Sequence, residues 1–131
     1  MRKATPNDIP QLLVWGREFH AASPYRERPY SAERVSNVLR HMMEQGVVLI
    51  SEKGMAGALK APMWFTEGEV AQELFWWGDA SLRQGLEDWA EEQGCVAFTM
   101  VCLENDKAPA LSRLYRMNGF QMTEHHFMKG L

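Results

Sequence analysis

Residues 71–95, AQELFWWGDASLRQGLEDWAEEQGC, change character halfway along. Residues 70–77 carry the apolar and aromatic content of a strand, with Val70, Leu74 and Trp76 set against Gln72, Phe75 and Trp77. Residues 80–93 place Leu82, Leu86, Trp89 and Ala90 on one face of a helix, and Gly94 supplies its stop. Almost nothing separates the two halves. A strand that feeds a helix so directly, with further strands on both sides, predicts a layered chain rather than a bundle or a sandwich.

Working upstream, VVLISEKG (47–54) reads as a buried strand ending in a charged turn, and MAGALKAPMWFT (55–66) as its antiparallel return. With the 70–77 strand these make a meander. Before them lie a short starting strand and two helices. The first is expected over about 7–21, capped by Thr5 or Asn7, with Ile9, Leu12, Leu13, Trp15 and Phe19 at mostly helical spacing. The second is SAERVSNVLRHMMEQG (31–46), with Val35, Val38, Leu39 and Met42 on one face and Gly46 at its end. Downstream, VAFTMVCL (96–103) reads as a continuous apolar strand buried on both faces. KAPALSRLYRMNGF (107–120) is a helix with Pro109 in its first turn and Gly119 after its end, and FQMTEHHFMKGL (120–131) a last strand. The expectation is an α/β (α+β) fold, a mixed and mostly antiparallel central sheet with helices on both faces. Length and continuity predict one domain over 1–131.

Charge narrows the function classes. Lys and Arg number 14 against 17 Asp and Glu, a formal net charge of -3 with no basic run, so neither a nucleic acid nor a membrane is an expected partner. No apolar run reaches the roughly 20 residues of a transmembrane helix, and MRKATPNDIPQLL lacks the apolar segment of a signal peptide. Cys95 and Cys102 have no second pair to form a disulfide framework or a zinc site, which favours a reducing, cytoplasmic setting.

The element order and three stretches resemble the GNAT family of acetyl-CoA-dependent N-acetyltransferases. RKATPNDIPQLLVWGREFHAASPY (2–25) looks like the family's opening strand and first acceptor-side helix. VAQELFWW (70–77) resembles its fourth strand, and LSRLYRMNGFQMTEHHFMKGL (111–131) its C-terminal helix, Tyr, NGF turn and final strand. The resemblance spans essentially the whole chain, and its style is nearest to phage and bacterial members.

It implies acetyl-CoA as cofactor and an amine as acceptor, on a small molecule or a protein. In the family a glycine-rich loop after the fourth strand, commonly V-x-P-x-x-[QR]-G-x-G-[IVA]-[GA], holds the coenzyme pyrophosphate at a helix N-terminus, where unpaired N–H groups and the dipole favour an anion. Here that loop is missing, and the chain is short by about nine residues at this point. Arg83, Gln84 and Gly85 imitate the motif's letters from inside the helix. Charge-assisted hydrogen bonds are worth roughly 1.5–3 kcal/mol each, so losing about three removes on the order of 5–9 kcal/mol, against about 8 kcal/mol for a micromolar ligand. Asp79 adds a carboxylate that would cap the helix and repel a phosphate. The residues left to contact a cofactor are Phe75, Trp76, Trp77, Gly78, Ser81 and Arg83.

Acetyl transfer to an amine needs a base and an acid. Tyr115 matches the family's acid, or else packs its ring with the hydroxyl at the rim. Glu73 matches the position of the base in many members, or else is a solvent-facing strand charge or a partner for Arg83. His20, Tyr25 and Tyr30 would lie near the acceptor cleft, although a lone His at a helix end is as readily a capping residue. His125 and His126, adjacent on a strand, point to opposite faces and do not chelate one ion, so no metal site is expected. Trp64, Phe65, Phe75, Trp76 and Trp77 are expected to pack in the core, or, where they face outward, to form a partner interface.

Two functions follow from these residues. One is an N-acetyltransferase using Tyr115 and Glu73. The other is a GNAT-fold protein that has lost its cofactor loop and acts by binding, as a phage-type effector would on a host protein. A homodimer would form through C-terminal strand pairing or an exposed Trp face.

Overall fold

Strands β3 (Met55–Pro62) and β4 (Glu69–Trp77) form a long antiparallel hairpin on which the other layers rest. In the computed structural model, which describes residues 1–131, the chain forms two compact units, Met1–Val101 and Cys102–Leu131.

In the first unit, β1 (Arg2–Lys3), β2 (Val47–Ile50), β3, β4 and β5 (Ala97–Thr99) form one sheet in chain order. The first four strands pair antiparallel, whereas β5 runs parallel to β4. Helices α1 (Ile9–Ala22) and α2 (Ala32–Gln45) cover one face, where Leu12, Leu39 and Met42 meet Val48, Ile50, Met55, Phe75 and Trp77. Helix α3 (Leu82–Glu92) covers the other, with Leu82, Leu86, Trp89 and Ala90 packed on Val47, Leu49, Ala56, Ala58 and Ala71. Leu82 and Leu86 are wholly buried, each worth about 1.5–3 kcal/mol by removal of apolar surface from water. The mixed sheet with helices on both faces is thus the expected architecture.

Local chemistry starts and stops these helices. The Ser31 side chain accepts the Arg34 N–H at 3.1 Å and so caps α2. Before α1 a short turn over Pro6–Asp8 is fastened by Asp8, whose carboxylate accepts the Thr5 N–H (2.8 Å) and both arms of the Arg2 guanidinium (2.7 and 2.8 Å). That pairing holds the Asp8 carboxyl below the usual carboxylate range, first through Arg2 and then through Thr5. Helix α1 therefore begins at residue 9 rather than 7.

Three expectations change. The alternation in β4 is broken by a bulge: Gly57 faces Phe75 and Ala58 faces Glu73, so Leu74 is the extra residue and is exposed. Val70 and Gln72 accordingly share a face with Phe75 and Trp77, while Ala71, Glu73 and Trp76 point toward α3. The strand expected over 96–103 shortens to three residues, and Val96, Ala97, Thr99 and Val101 are exposed. Its apolar run misleads because β5 lies at the end of the strand order, paired only with β4. Residues 120–131 form no strand.

In the second unit, α4 (Ala108–Met117) carries Pro109 in its first turn and is followed by Gly119 at φ +86°. The Tyr115 and Phe120 rings pack at 5.5 Å across that stop.

The tightest steric constraint lies where β4 leaves the sheet. Gly78 has φ +86°, and a Cβ there would run into the Lys53 carbonyl oxygen, just as one at Gly54 would run into that of Trp77. The turn between β2 and β3 therefore sits backbone to backbone on the β4–α3 connection. Gly78→Ala imposes both the left-handed conformation, about 1–2 kcal/mol, and a backbone clash. The expected result is a loss of at least about 2 kcal/mol, read as a lower denaturant midpoint with an unchanged slope.

Candidate functional site

Four residues, 78–81, join β4 to α3, and their hydrogen bonds are directed inward. The Asp79 carboxylate accepts the Ser81 backbone N–H at 2.9 Å and the Ser81 hydroxyl at 2.7 Å. Its own carbonyl accepts the Leu82 N–H at 3.2 Å and the Trp76 indole N–H at 2.8 Å, and its N–H donates to the Trp77 carbonyl at 3.1 Å. The Asp79 carboxyl is lowered to about 2, first by the Ser81 hydroxyl, then by the Ser51 side chain and the Ser81 amide, with Lys53 adding a favourable charge. Asp79 thus closes a turn onto Ser81 just ahead of α3, while the helix begins at Leu82 rather than at residue 80, with Ser81 instead of Asp79 at its cap position and no side-chain bond from that cap.

Around this junction stand the residues expected to contact a cofactor. Phe75 and Trp77 are turned to the α1/α2 face, where Trp77 meets the edge of Phe19 at 6.0 Å. Trp76 lies on the α3 face. Arg83 is buried, with its guanidinium on Glu87 at 2.6 Å and Gln84 at 3.0 Å. The structure adds Ser51 and Lys53, which reach Asp79 from 26–28 positions earlier in the chain. Nothing local marks them; the only sequence signal is the tight turn SEKG, whose glycine lets the two backbones touch.

Glu73 is the second centre of interest. It is buried among the α3-side residues rather than solvent-facing, with 7% of its surface exposed. One carboxyl oxygen, Oε2, has no hydrogen-bond partner, and the carboxyl accepts the Val101 backbone N–H. Val101 follows β5, and the β4–β5 ladder ends at Gln72 opposite Thr99. The Glu73 side chain therefore bridges the strands just beyond their last paired residues. Burial raises its pKa from 4.5 to about 8, against a smaller lowering by the Val101 N–H. The carboxyl is neutral at pH 7.

The acceptor-side candidates divide. His20 and Tyr30 pack together with ring centroids 5.6 Å apart, the Arg17 guanidinium lies 4.5 Å from the centre of the Tyr30 ring, and the Tyr30 hydroxyl donates to the Leu13 carbonyl at 3.1 Å. His20 Nε2 is buried without a partner, and burial raises the Tyr30 pKa despite Arg17. Tyr25 sits apart in the turn after α1, largely exposed, its N–H on the Ser23 hydroxyl oxygen at 3.2 Å. In the second unit Tyr115 lies on α4 against Phe120, and His126 is paired with Glu124 at 2.7 Å. Among the aromatics expected in the core, Trp64 and Phe65 are instead exposed at the β3–β4 turn. No helix of the chain is long and apolar enough to cross a membrane.

The sign of the Glu73 effect on stability is fixed by its direction. Its folded pKa lies above the unfolded value, so the folded state holds the proton more tightly between about pH 4.5 and pH 8 and loses stability as pH rises through that window. The expected slope approaches about 1.4 kcal/mol per pH unit near neutrality. Urea denaturation between pH 5 and 8 is expected to show this decline in the wild type and a much flatter profile in Glu73→Gln.

No protein-family model matches the chain, and no curated protein matches it. Solved structures do. An aminoglycoside acetyltransferase from an uncultured soil metagenomic sample is similar with a TM-score of 0.69 at 14% identity, covering 99% of this chain and 96% of that one. A Trypanosoma brucei acetyltransferase is similar with a TM-score of 0.67 at 18% identity, covering 99% and 97%. A GNAT family acetyltransferase from Staphylococcus aureus is similar with a TM-score of 0.60 at 16% identity, covering 99% and 96%. At these identities the likeness speaks for the fold, and with the bulged β4, the parallel β5 and the helices on both faces, the chain has the fold of the GNAT-type acetyltransferases.

Proposed function

We propose that this GNAT-fold chain acts by binding a partner protein, as an effector or inhibitor, rather than by acetyl-CoA-dependent transfer. The observation that carries the proposal is the commitment of the junction to its own chain. A pyrophosphate at the start of α3 needs free amides there, and those of Ser81, just before the helix, and Leu82, its first residue, already bond to the Asp79 carboxylate and carbonyl. The carboxylate that holds the Ser81 amide is ionised above about pH 2, so it opposes a phosphate at every physiological pH. The close backbone contact of Gly54 with Trp77 and of Gly78 with Lys53 backs the four-residue connection with the β2–β3 turn. The pyrophosphate of acetyl-CoA does not fit these residues.

One observation favours a second reading, transfer of an acetyl group to an amine of a small molecule or protein. Glu73 is a buried carboxyl with an unsatisfied oxygen and a pKa near the working range of a general base. In that reading Glu73 takes the amine proton from the α3 side of the sheet, whereas His20 and Tyr30, on α1 and the α1–α2 connection, belong to the other face, and Tyr115 has the acid role by the resemblance alone. A donor would then have to be held without the junction amides.

Calorimetric titration with acetyl-CoA separates the two. The binding reading expects no saturation up to about millimolar cofactor, corresponding to less than about 4 kcal/mol of binding free energy. Saturation in the micromolar range, with acetyl transfer to a panel of amines that is lost in Glu73→Gln, would instead establish the transferase.

A further inference from the structure

The aromatics at the tip of the β3–β4 hairpin have no role in the core or at the junction. Trp64 is 91% exposed and Phe65 64%, and their rings stand edge to face at 4.9 Å. Met63 beside them is also exposed, and so is Val96, at the same end of the hairpin, where its side chain packs over Gly68 and its N–H donates to the Glu69 carbonyl at 2.9 Å. Isolated exposed apolar residues are ordinary, but adjacent Trp and Phe on the end of a firmly paired hairpin form a projecting apolar element.

Its surroundings are acidic. Glu67 and Glu69 flank the tip, and Glu91 and Glu92 are brought to the same end of the sheet by the last turn of α3, where Lys60 Nζ donates to Gln93 Oε1 at 3.1 Å. All four carboxylates are exposed. Residues 59–70 and 89–100 contain one cation, Lys60, and it is engaged with Gln93. An anionic bilayer or a nucleic acid would be repelled by this ring.

We propose that the Trp64–Phe65 tip is the docking element of this chain, and that its partner is a protein surface with an apolar pocket rimmed by Lys and Arg. A Trp inserted in such a pocket, with charged groups at the edge, has the composition of an interface hot spot. The edge-to-face pair lowers the ordering cost because each ring already restrains the other. The acidic rim supplies steering and rejects partners of like charge. This inference rests on the binding reading above by naming the kind of partner.

The experiment selects ligands from a displayed random dodecapeptide library with the full chain as bait. Selected peptides are measured against wild type, Trp64→Ser/Phe65→Ser, and the quadruple charge reversal of Glu67, Glu69, Glu91 and Glu92 to Lys. Exposed positions are altered throughout, and circular dichroism and thermal midpoint check that each variant is folded. The proposal expects peptides combining apolar or aromatic residues with Lys or Arg. Their affinity should fall about tenfold or more in the aromatic double variant. Binding should weaken between about 50 and about 500 mM salt, and the charge reversal should abolish that dependence.

Failure to select any peptide, selection of peptides without basic residues, or affinities indifferent to Trp64 and Phe65 would overturn it. So would a wild-type dimer that the aromatic variant converts to monomer, which would make a second copy the occupant, or Trp64-dependent sedimentation with phosphatidylglycerol vesicles, which would make it a lipid surface. Micromolar acetyl-CoA binding would overturn the non-transferase reading while leaving Trp64-dependent docking intact. Loss of Trp64 dependence would overturn the docking and leave the cofactor result as it stands.

Discussion

The β3–β4 ladder, with its single irregularity at Leu74, fixes what each remaining part of the first unit can do. Before the bulge, Val70 and Gln72 share a face with Leu59; after it, Phe75 and Trp77 take that same face and pack under α1 and α2. Without the extra residue the strict period of two would send Phe75 and Trp77 toward α3 and Trp76 away from it. The bulge thus decides which core each of the three consecutive aromatics serves. It also leaves Glu73 on the α3 side, where a charge is least welcome, so burial and not a nearby cation sets its protonation.

The end of β4 obeys a second constraint, that of backbone meeting backbone. Gly54 and Gly78 allow the β2–β3 turn to press on the β4–α3 connection, and Ser51 and Lys53 from that turn then reach Asp79. Asp79 in turn serves Ser81 and, through its carbonyl, Leu82 and the Trp76 indole. The turn leading into α3 is thus held by the carboxylate and carbonyl of one residue of the same chain.

Much of this could be read in advance, because helical periodicity and caps are local. The faces of α1, α2 and α3, the meander and the turn that Asp79 closes onto Ser81 follow from residues within a few positions of one another. The features that escaped depend on distant partners. The bulge at Leu74 is invisible in ELFWW, since a strand with large side chains at five successive positions has no period to break. The apolar run at 96–103 reads as a central strand, although whether a strand is central depends on neighbours that a window does not contain. The same holds for Ser51 and Lys53. Trp64 and Phe65 escaped for a different reason: composition assigns aromatics to the core, whereas a hairpin tip has no opposite layer against which to bury them.

The two carboxylates of the site show how environment separates residues of like chemistry. Asp79, in water and supplied with hydroxyl and amide donors, stays ionised down to about pH 2. Glu73, deprived of water and given one amide donor, stays protonated up to about pH 8. The same chain therefore keeps a negative charge just ahead of α3 and a neutral acid where the pairing of β4 and β5 ends. A charge held in place by four kinds of contact is costly to displace, while a lone proton on a buried carboxyl can leave for the cost of desolvation alone. The charge at the junction therefore persists across the physiological range while that at Glu73 depends on pH, so a change of pH between about 5 and 8 acts on this unit through Glu73 and not through Asp79.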